Sequence, residues 1–350
     1  MSQRISNILK FIVFVSLGFG ILYLVYRNQQ AAYAAECALK GTAAEECSLL
    51  DKVLRDFAGA NFWWLGMTLV AFCVSNLSRA IRWNMLLRTL GKRPRLINAF
   101  LTINLGYLAN LGFPRLGEIV RPAAMARYEN IKVERVVGTV VVGRTLDVIM
   151  LLSLSGLALL VAGDRIWGWL AEQASFGGRL EILRGWILPA GVLLALGLAL
   201  AWFQRRRLRD SRAGTKLEAI LRGFLEGMRT IATVQRPWLF ILHSLNIWLM
   251  YFVMTLFVFW AYAPTAQLGA EAALTTFVSG GWGIVIPSPG GMGSYHYLAQ
   301  SALGLYGLPG DDGFAWANIS FFTINIGCNI LIGLLALLLL PRINRSYSPA

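Results

Sequence analysis

The run VVGTVVVGRTLDVIMLLSLSGLALLVA, residues 136–162, is apolar and long enough to cross a bilayer as a helix. Arg144 and Asp147 lie deep inside it, three residues apart and therefore on one helical face. An ion at a bilayer centre costs about 2.5–3.5 kcal/mol on insertion scales, so a helix keeps one where it meets a partner or a wet cavity. With the ions and helix breakers of Asn110–Arg121 beside another apolar segment and Pro287–Gly293 interrupting a third, this stretch reads as part of a polytopic membrane protein and marks its interior as a site.

Composition agrees. The 350 residues are 57% hydrophobic and 14% charged, with a mean hydropathy of +0.58. Soluble domains carry about 25% charged residues. The net charge of +14 does not describe a nucleic-acid groove, because the basic residues bunch between apolar runs, as the positive-inside rule requires.

Apolar runs lie near residues 8–26, 62–80, 96–113, 136–162, 186–203, 237–262, 272–306 and 314–340. Loops 79–95, 114–135 and 204–236 are rich in Lys and Arg and read as cytoplasmic. Loops 28–61, 163–185, 263–271 and 307–313 are acidic or neutral and read as external. Segment 96–113 then has cytoplasmic flanks on both sides, and segment 272–306 has external flanks on both sides. Each reads as a re-entrant pair of half-helices, the first breaking near Gly106, Asn110 or Gly112 and the second at 287–293. Bare irregular backbone is not tolerated in lipid, so both hairpins must be buried in protein or line a cavity.

The expected fold is therefore an all-α polytopic membrane protein, one membrane domain over 1–350, with about six full transmembrane helices and two opposed re-entrant hairpins. Residues 62–162 and 237–340 form two halves of opposite orientation, an inverted repeat in topology alone, since no residue-level repeat is visible. The external loop 28–61 precedes the first half and the basic cytoplasmic loop 204–236 separates the two. Two ordinary tight helical hairpins are the alternative. Ala32-Tyr-Ala34 resembles a signal-peptidase site, although the apolar run before it is long for a signal peptide.

Cys37 and Cys47 share the external loop and are the candidate disulfide; Cys73 and Cys328 lie in spans. His243 and His296 are far apart in sequence, no Cys/His spacing suggests a metal, and nothing implies a cofactor.

The stretch Gly106-Tyr-Leu-Ala-Asn110-Leu-Gly-Phe-Pro114-Arg115-Leu-Gly117-Glu118-Ile-Val-Arg121 resembles the signature of the flippase-like family that includes the transmembrane region of lysylphosphatidylglycerol synthase. Arg144-Thr-Leu-Asp147 is similar to that family's Arg-x-x-Asp, and Pro287-Ser-Pro289-Gly290-Gly291-Met-Gly293 to its late glycine-rich loop. Arg79, Arg82 and Trp83 resemble its Arg-x-x-Arg-Trp segment. The resemblance, over about 60–340, implies a multi-pass protein of the bacterial cell inner membrane that moves phospholipid or isoprenoid-linked lipid between leaflets. The chain departs from the family at His296, where an acidic residue is usual. The synthases add a cytosolic aminoacyl-transferase domain after the membrane region, and this sequence ends soon after Arg342 and Arg345, so lipid aminoacylation by this chain alone is not expected.

The residues that would hold a polar or anionic headgroup are Asn110, Arg115, Glu118, Arg121, Arg144, Asp147, Pro289, Gly290, Gly291 and Gly293. Guanidinium offers forked donors to phosphate, the carboxylates would hold the arginines or meet a headgroup amine, and glycines allow close backbone approach. Arg79 and Arg82 read instead as anchors at the cytoplasmic boundary beside Trp83, and Arg205, Arg206 and Arg207 as topology determinants. The expected function is a flippase-like lipid transporter, not an enzyme, with both termini cytoplasmic, membrane lipids as partners, a lipid-modifying enzyme as a further partner, and no nucleic acid. The competing readings are an integral-membrane enzyme acting on lipid-linked phosphate or sugar, and a non-transporting scaffold for a lipid-modifying enzyme.

Overall fold

The computed structural model describes residues 47–112, 115–175, 234–286 and 291–347, with seven further residues between Tyr23 and Ala34. Most of the run 8–26, Cys37, the run 186–203, nearly all of loop 204–236, Pro287, Pro289 and Gly290 lie outside the described residues. All regular structure described is helical, and no strand occurs among the described residues. The helices are α1 (Leu49–Ala58), α2 (Phe62–Arg88), α3 (Leu96–Gly112), α4 (Gly117–Glu129), α5 (Val133–Ser175), α6 (Pro237–Ala261), α7 (Ala270–Val285), α8 (Ser294–Gly304), α9 (Gly310–Ser320) and α10 (Asn329–Ile343). A π-helical segment, Phe321–Cys328, joins α9 to α10. Among the described residues four helical stretches are long and apolar enough to cross a membrane: Phe62–Arg88, Val133–Ile166, Pro237–Ala261 and Gly310–Ile343. The chain is an all-α, multi-pass membrane protein.

Contacts between helix ends fix the arrangement. At one end the Glu129 carboxylate accepts from the Arg95 backbone N–H, the Asn98 side chain and the Tyr347 hydroxyl, while Asn98 also pairs with Asn344. The start of α3, the end of α4 and the end of α10 therefore lie together, among Arg88, Arg93, Lys132 and Arg135. At the other end Glu271 accepts from Arg165 and Tyr306, bringing the start of α7 to the ends of α5 and α8. There too the Asn61 N–H donates to the Ala261 carbonyl, so α2 and α6 run antiparallel. Pair α3/α4 returns to the basic end and pair α7/α8 to the opposite end.

The second hairpin breaks in the expected place, with helices over Ala270–Val285 and Ser294–Gly304. The first does not. Residues 96–112 form one unbroken helix, and the return helix is Gly117–Glu129, inside the stretch expected to be a cytoplasmic loop. The return helix carries Glu118, Arg121 and Arg127, so its hydropathy resembles a loop's. Gly106 stays helical because its bare face receives Arg121 and Gly117: a Cβ there would lie 3.0 Å from Arg121 Cβ and 3.2 Å from the Gly117 carbonyl oxygen. Gly117 is closer still, since a Cβ on it would run into the Gly106 carbonyl.

Two other loops prove structured. The stretch 28–61 contains α1, capped by Ser48 accepting from the Asp51 N–H. Its Lys52 pairs with Asp56 (2.8 Å), Asp312 and Asp311 (3.7 Å), and Tyr262 donates to Asp56 and Asp312. Burial alone would lower the Lys52 pKa, but the hydrogen bonds it donates to Asp312 and Asp56 raise it well above the ordinary value. Asp311 and Asp312, expected in a loop, instead open α9 and tie it to α1. Cys47 is disulfide-bonded, and Cys73 and Cys328 are free.

The two halves pack alike. Helices α2, α3, α4 and α5 contact one another in the same pairs as α6, α7, α8 and α9–α10, and α3 lies on α10 as α7 lies on α5. The correspondence has a spacing near 177 residues: α6, α7 and α8 begin 175, 174 and 177 residues after α2, α3 and α4. Spans Val133–Ile166 and Gly310–Ile343 differ by 177 at both ends. So do two close contacts within the hairpins: Gly106 against Gly117 becomes Gly283 against Ser294, whose hydroxyl donates to the Gly283 carbonyl at 2.7 Å.

Candidate functional site

Helix α2 turns a polar stripe inward, with Thr68, Ser75, Asn76, Ser78, Arg79 and Arg82 all buried. On the neighbouring α5, Asp147 faces this stripe and takes one arginine on each carboxylate oxygen. Arg79 Nη1 reaches Oδ2 at 2.8 Å and Arg82 Nη2 reaches Oδ1 at 2.9 Å. The two guanidiniums are also held from α6, since Arg79 Nη2 donates to the Tyr251 hydroxyl (2.8 Å) and Arg82 Nη1 to the Ser244 hydroxyl (3.3 Å). Tyr251 is in turn hydrogen-bonded to Tyr107 of α3. Charge-assisted bonds of this kind are the strong ones, and buried ions need them, because the loss of hydration otherwise outweighs the attraction.

The hairpin α3/α4 supplies the other side. Glu118 Oε1 lies 3.2 Å from Arg144 Nε, and both side chains are 45% exposed, which places them at the open edge of the cluster. Arg121 stacks its guanidinium 4.0 Å from the Trp83 ring. Its Nε has no hydrogen-bond partner, and no carboxylate pairs with Arg121 among the described residues. Arg79, Arg82, Trp83, Arg121, Arg144 and Asp147 line one gap, with about 10 Å³ of room for a water-sized centre, which is space for about one water.

The expected site residues thus fall in three places. Glu118, Arg121, Arg144 and Asp147 come together. Arg144 is not the main partner of Asp147, however. The two stand 3.9 Å apart, because Arg79 and Arg82 hold the carboxylate and Arg144 turns to Glu118. Asn110 and Arg115 shape the turn. The Asn110 side chain accepts from the Gly117 N–H at 2.7 Å, and Arg115 is exposed with φ +64°. Gly291 and Gly293 belong to the other hairpin. Both have φ +84°, and a Cβ on Gly291 would lie 2.8 Å from Ile284 Cα. Among the described contacts none joins these two glycines to the arginine cluster. Pro289 and Gly290 lie outside the described residues.

Arg79 and Arg82 are the residues that sequence reasoning placed elsewhere. The apolar run stops at them, so they look like its border, yet α2 continues to Arg88 and their side chains are 5% and 3% exposed. Their spacing of three residues, which puts them on one face with Ser75 and Ser78, was the available signal.

The model for the lysylphosphatidylglycerol synthase TM region matches residues 48–345, which include every residue of the cluster. No curated protein and no solved structure gives a match. The chain belongs to the family of the lysylphosphatidylglycerol synthase transmembrane region, membrane proteins concerned with lipid handling.

Proposed function

We propose that the chain is a flippase-like transporter, not an enzyme, that carries an anionic lipid headgroup, phospholipid or isoprenoid-linked, across a bacterial inner membrane. One observation carries this reading: four arginines (Arg79, Arg82, Arg121, Arg144) surround two carboxylates (Glu118, Asp147), and among the described residues Arg121 stacks on Trp83 with no carboxylate paired to it. Two positive charges in excess, beside an open edge between α4 and α5, suit a phosphate-bearing headgroup whose tails remain in lipid. With room for about one water, the gap must widen to admit a headgroup. The hairpin α3/α4, joined to α5 at the Glu118–Arg144 pair, is the element whose movement would widen it.

The same reading orients the molecule. The basic end faces the cytoplasm with both termini, the hairpins are re-entrant, and the halves 62–162 and 237–340 are inverted repeats. The matched packing of the two halves supports the repeat, and the Lys and Arg residues gathered at one end support the orientation. A lipid-modifying enzyme would be the natural supplier of the cargo.

The test is leaflet exchange of fluorescent phosphatidylglycerol in proteoliposomes. Wild-type protein should accelerate it over protein-free vesicles. Arg121→Gln should reduce it about tenfold or more, the worth of a hydrogen bond to a charged group, with melting temperature and yield unchanged. Wild-type exchange no faster than the bare vesicles would overturn the transporter reading. Full activity of Arg121→Gln would overturn the assignment of the site.

A further inference from the structure

Outside the arginine cluster, a groove of about 490 Å³ runs between α2 and α3, lined by Cys73, Val74, Leu77, Leu96, Ile97 and Phe100. Its lining is apolar, and its volume falls in the range of single-ligand sites, roughly 300–1,000 Å³. It lies on the side of α2 away from the cluster: Leu77 is 43% exposed, whereas Arg79 and Arg82 turn inward.

Its length can be read from the helix register. Asn76 pairs with Asn104, and Asn84 donates to the Pro94 carbonyl, so Leu96 stands level with about Trp83 of α2. From there to Cys73 is about 15 Å at 1.5 Å per residue, or half of a hydrocarbon core of about 30 Å. The groove therefore spans one leaflet, from the basic end to the middle. Past its mouth the same face of α2 reaches Arg88, eleven residues and three helical turns beyond Leu77, and the connecting loop carries Arg93; both are exposed.

An apolar trough one leaflet long, with guanidiniums about 8 Å beyond its mouth, has the dimensions and charge of one phospholipid. We infer that the α2–α3 groove is a resident-lipid site, holding one acyl chain of an anionic phospholipid whose phosphate meets Arg88 and Arg93. The lipid bound here is distinct from a headgroup in the arginine cluster and belongs to the leaflet at the basic end.

The experiment is native mass spectrometry of the full chain in detergent, with dioleoyl phosphatidylglycerol or dioleoyl phosphatidylcholine added. Wild type should retain one phosphatidylglycerol in preference to phosphatidylcholine, on the order of tenfold, as two basic side chains at a headgroup give. Arg88→Gln with Arg93→Gln should erase the preference. Leu77→Trp with Phe100→Trp should fill the trough and release the lipid; Val74→Phe serves if that pair does not fold. Arg121→Gln should leave retention unchanged, which separates this site from the transport site. Equal retention of both lipids, retention that survives the filled groove, or its loss in Arg121→Gln would each overturn the inference.

Discussion

Asp147 shows how one residue can organise several others. Its two oxygens hold Arg79 and Arg82 in fixed positions at the bundle interior, and among the described residues those guanidiniums have hydrogen bonds only to Tyr251 and Ser244 besides. Removing one member of a buried ion group typically costs about 3–5 kcal/mol, because the remaining charges are stranded. Asp147→Asn is therefore expected to lower both melting temperature and folded yield sharply. Arg144→Gln should retain folded protein, since Arg144 is 45% exposed and touches Asp147 only at 3.9 Å. Thermal unfolding of the two purified variants compares them directly; equal losses would show that Arg144 also carries the structure. From the sequence, the face shared by Arg144 and Asp147 made them the natural couple. What it did not reveal was a second arginine pair arriving on a different helix, since hydropathy assigns such residues to the end of a span.

At the scale of the element, the two hairpins rest on close backbone contact. In the first, Gly106 and Gly117 meet without side chains between them, and Asn110 accepts the Gly117 N–H. Gly117→Ala must part the helices, and the shift would be felt at Glu118 and Arg121, the next residues on α4. We expect a marked loss of thermal stability, whereas Gly138→Ala, with nothing within 4 Å of its added methyl, should be neutral or slightly stabilising. Unfolding midpoints that agree for the two variants would remove the packing argument. That a hairpin exists here was legible from Lys and Arg on both flanks of 96–113. Its return helix was not, because Glu118, Arg121 and Arg127 are helical residues with a loop's composition, and their partners Arg144 and Trp83 come from distant sequence.

Among the described residues the two halves are packed alike at a spacing near 177, and this likeness is not visible in the sequence because the chemistry differs between halves. At that spacing Arg79, Arg82, Arg144 and Asp147 correspond to Leu256, Phe259, Phe321 and Ile324. Packing has kept the framework while the ions occupy one half only; Trp83 and Trp260 are among the few identities left. Equivalent positions in an inverted repeat must face opposite sides of the membrane. Single cysteines at Lys132 and Pro309, in an otherwise cysteine-free chain, should thus react with an impermeant maleimide from opposite sides, Pro309 from outside. Labelling of both from one side would refute the inverted arrangement.

The narrow gap among the four arginines also bears on the electrical integrity of the cell. A passage wide enough for a headgroup would, if left standing open, short-circuit the voltage on which an energised membrane depends. With room beside the guanidiniums for about one water, and with Leu256, Phe259, Phe321 and Ile324 in the corresponding places of the other half, a hydrated ion finds no berth. At rest this gap is closed to hydrated ions.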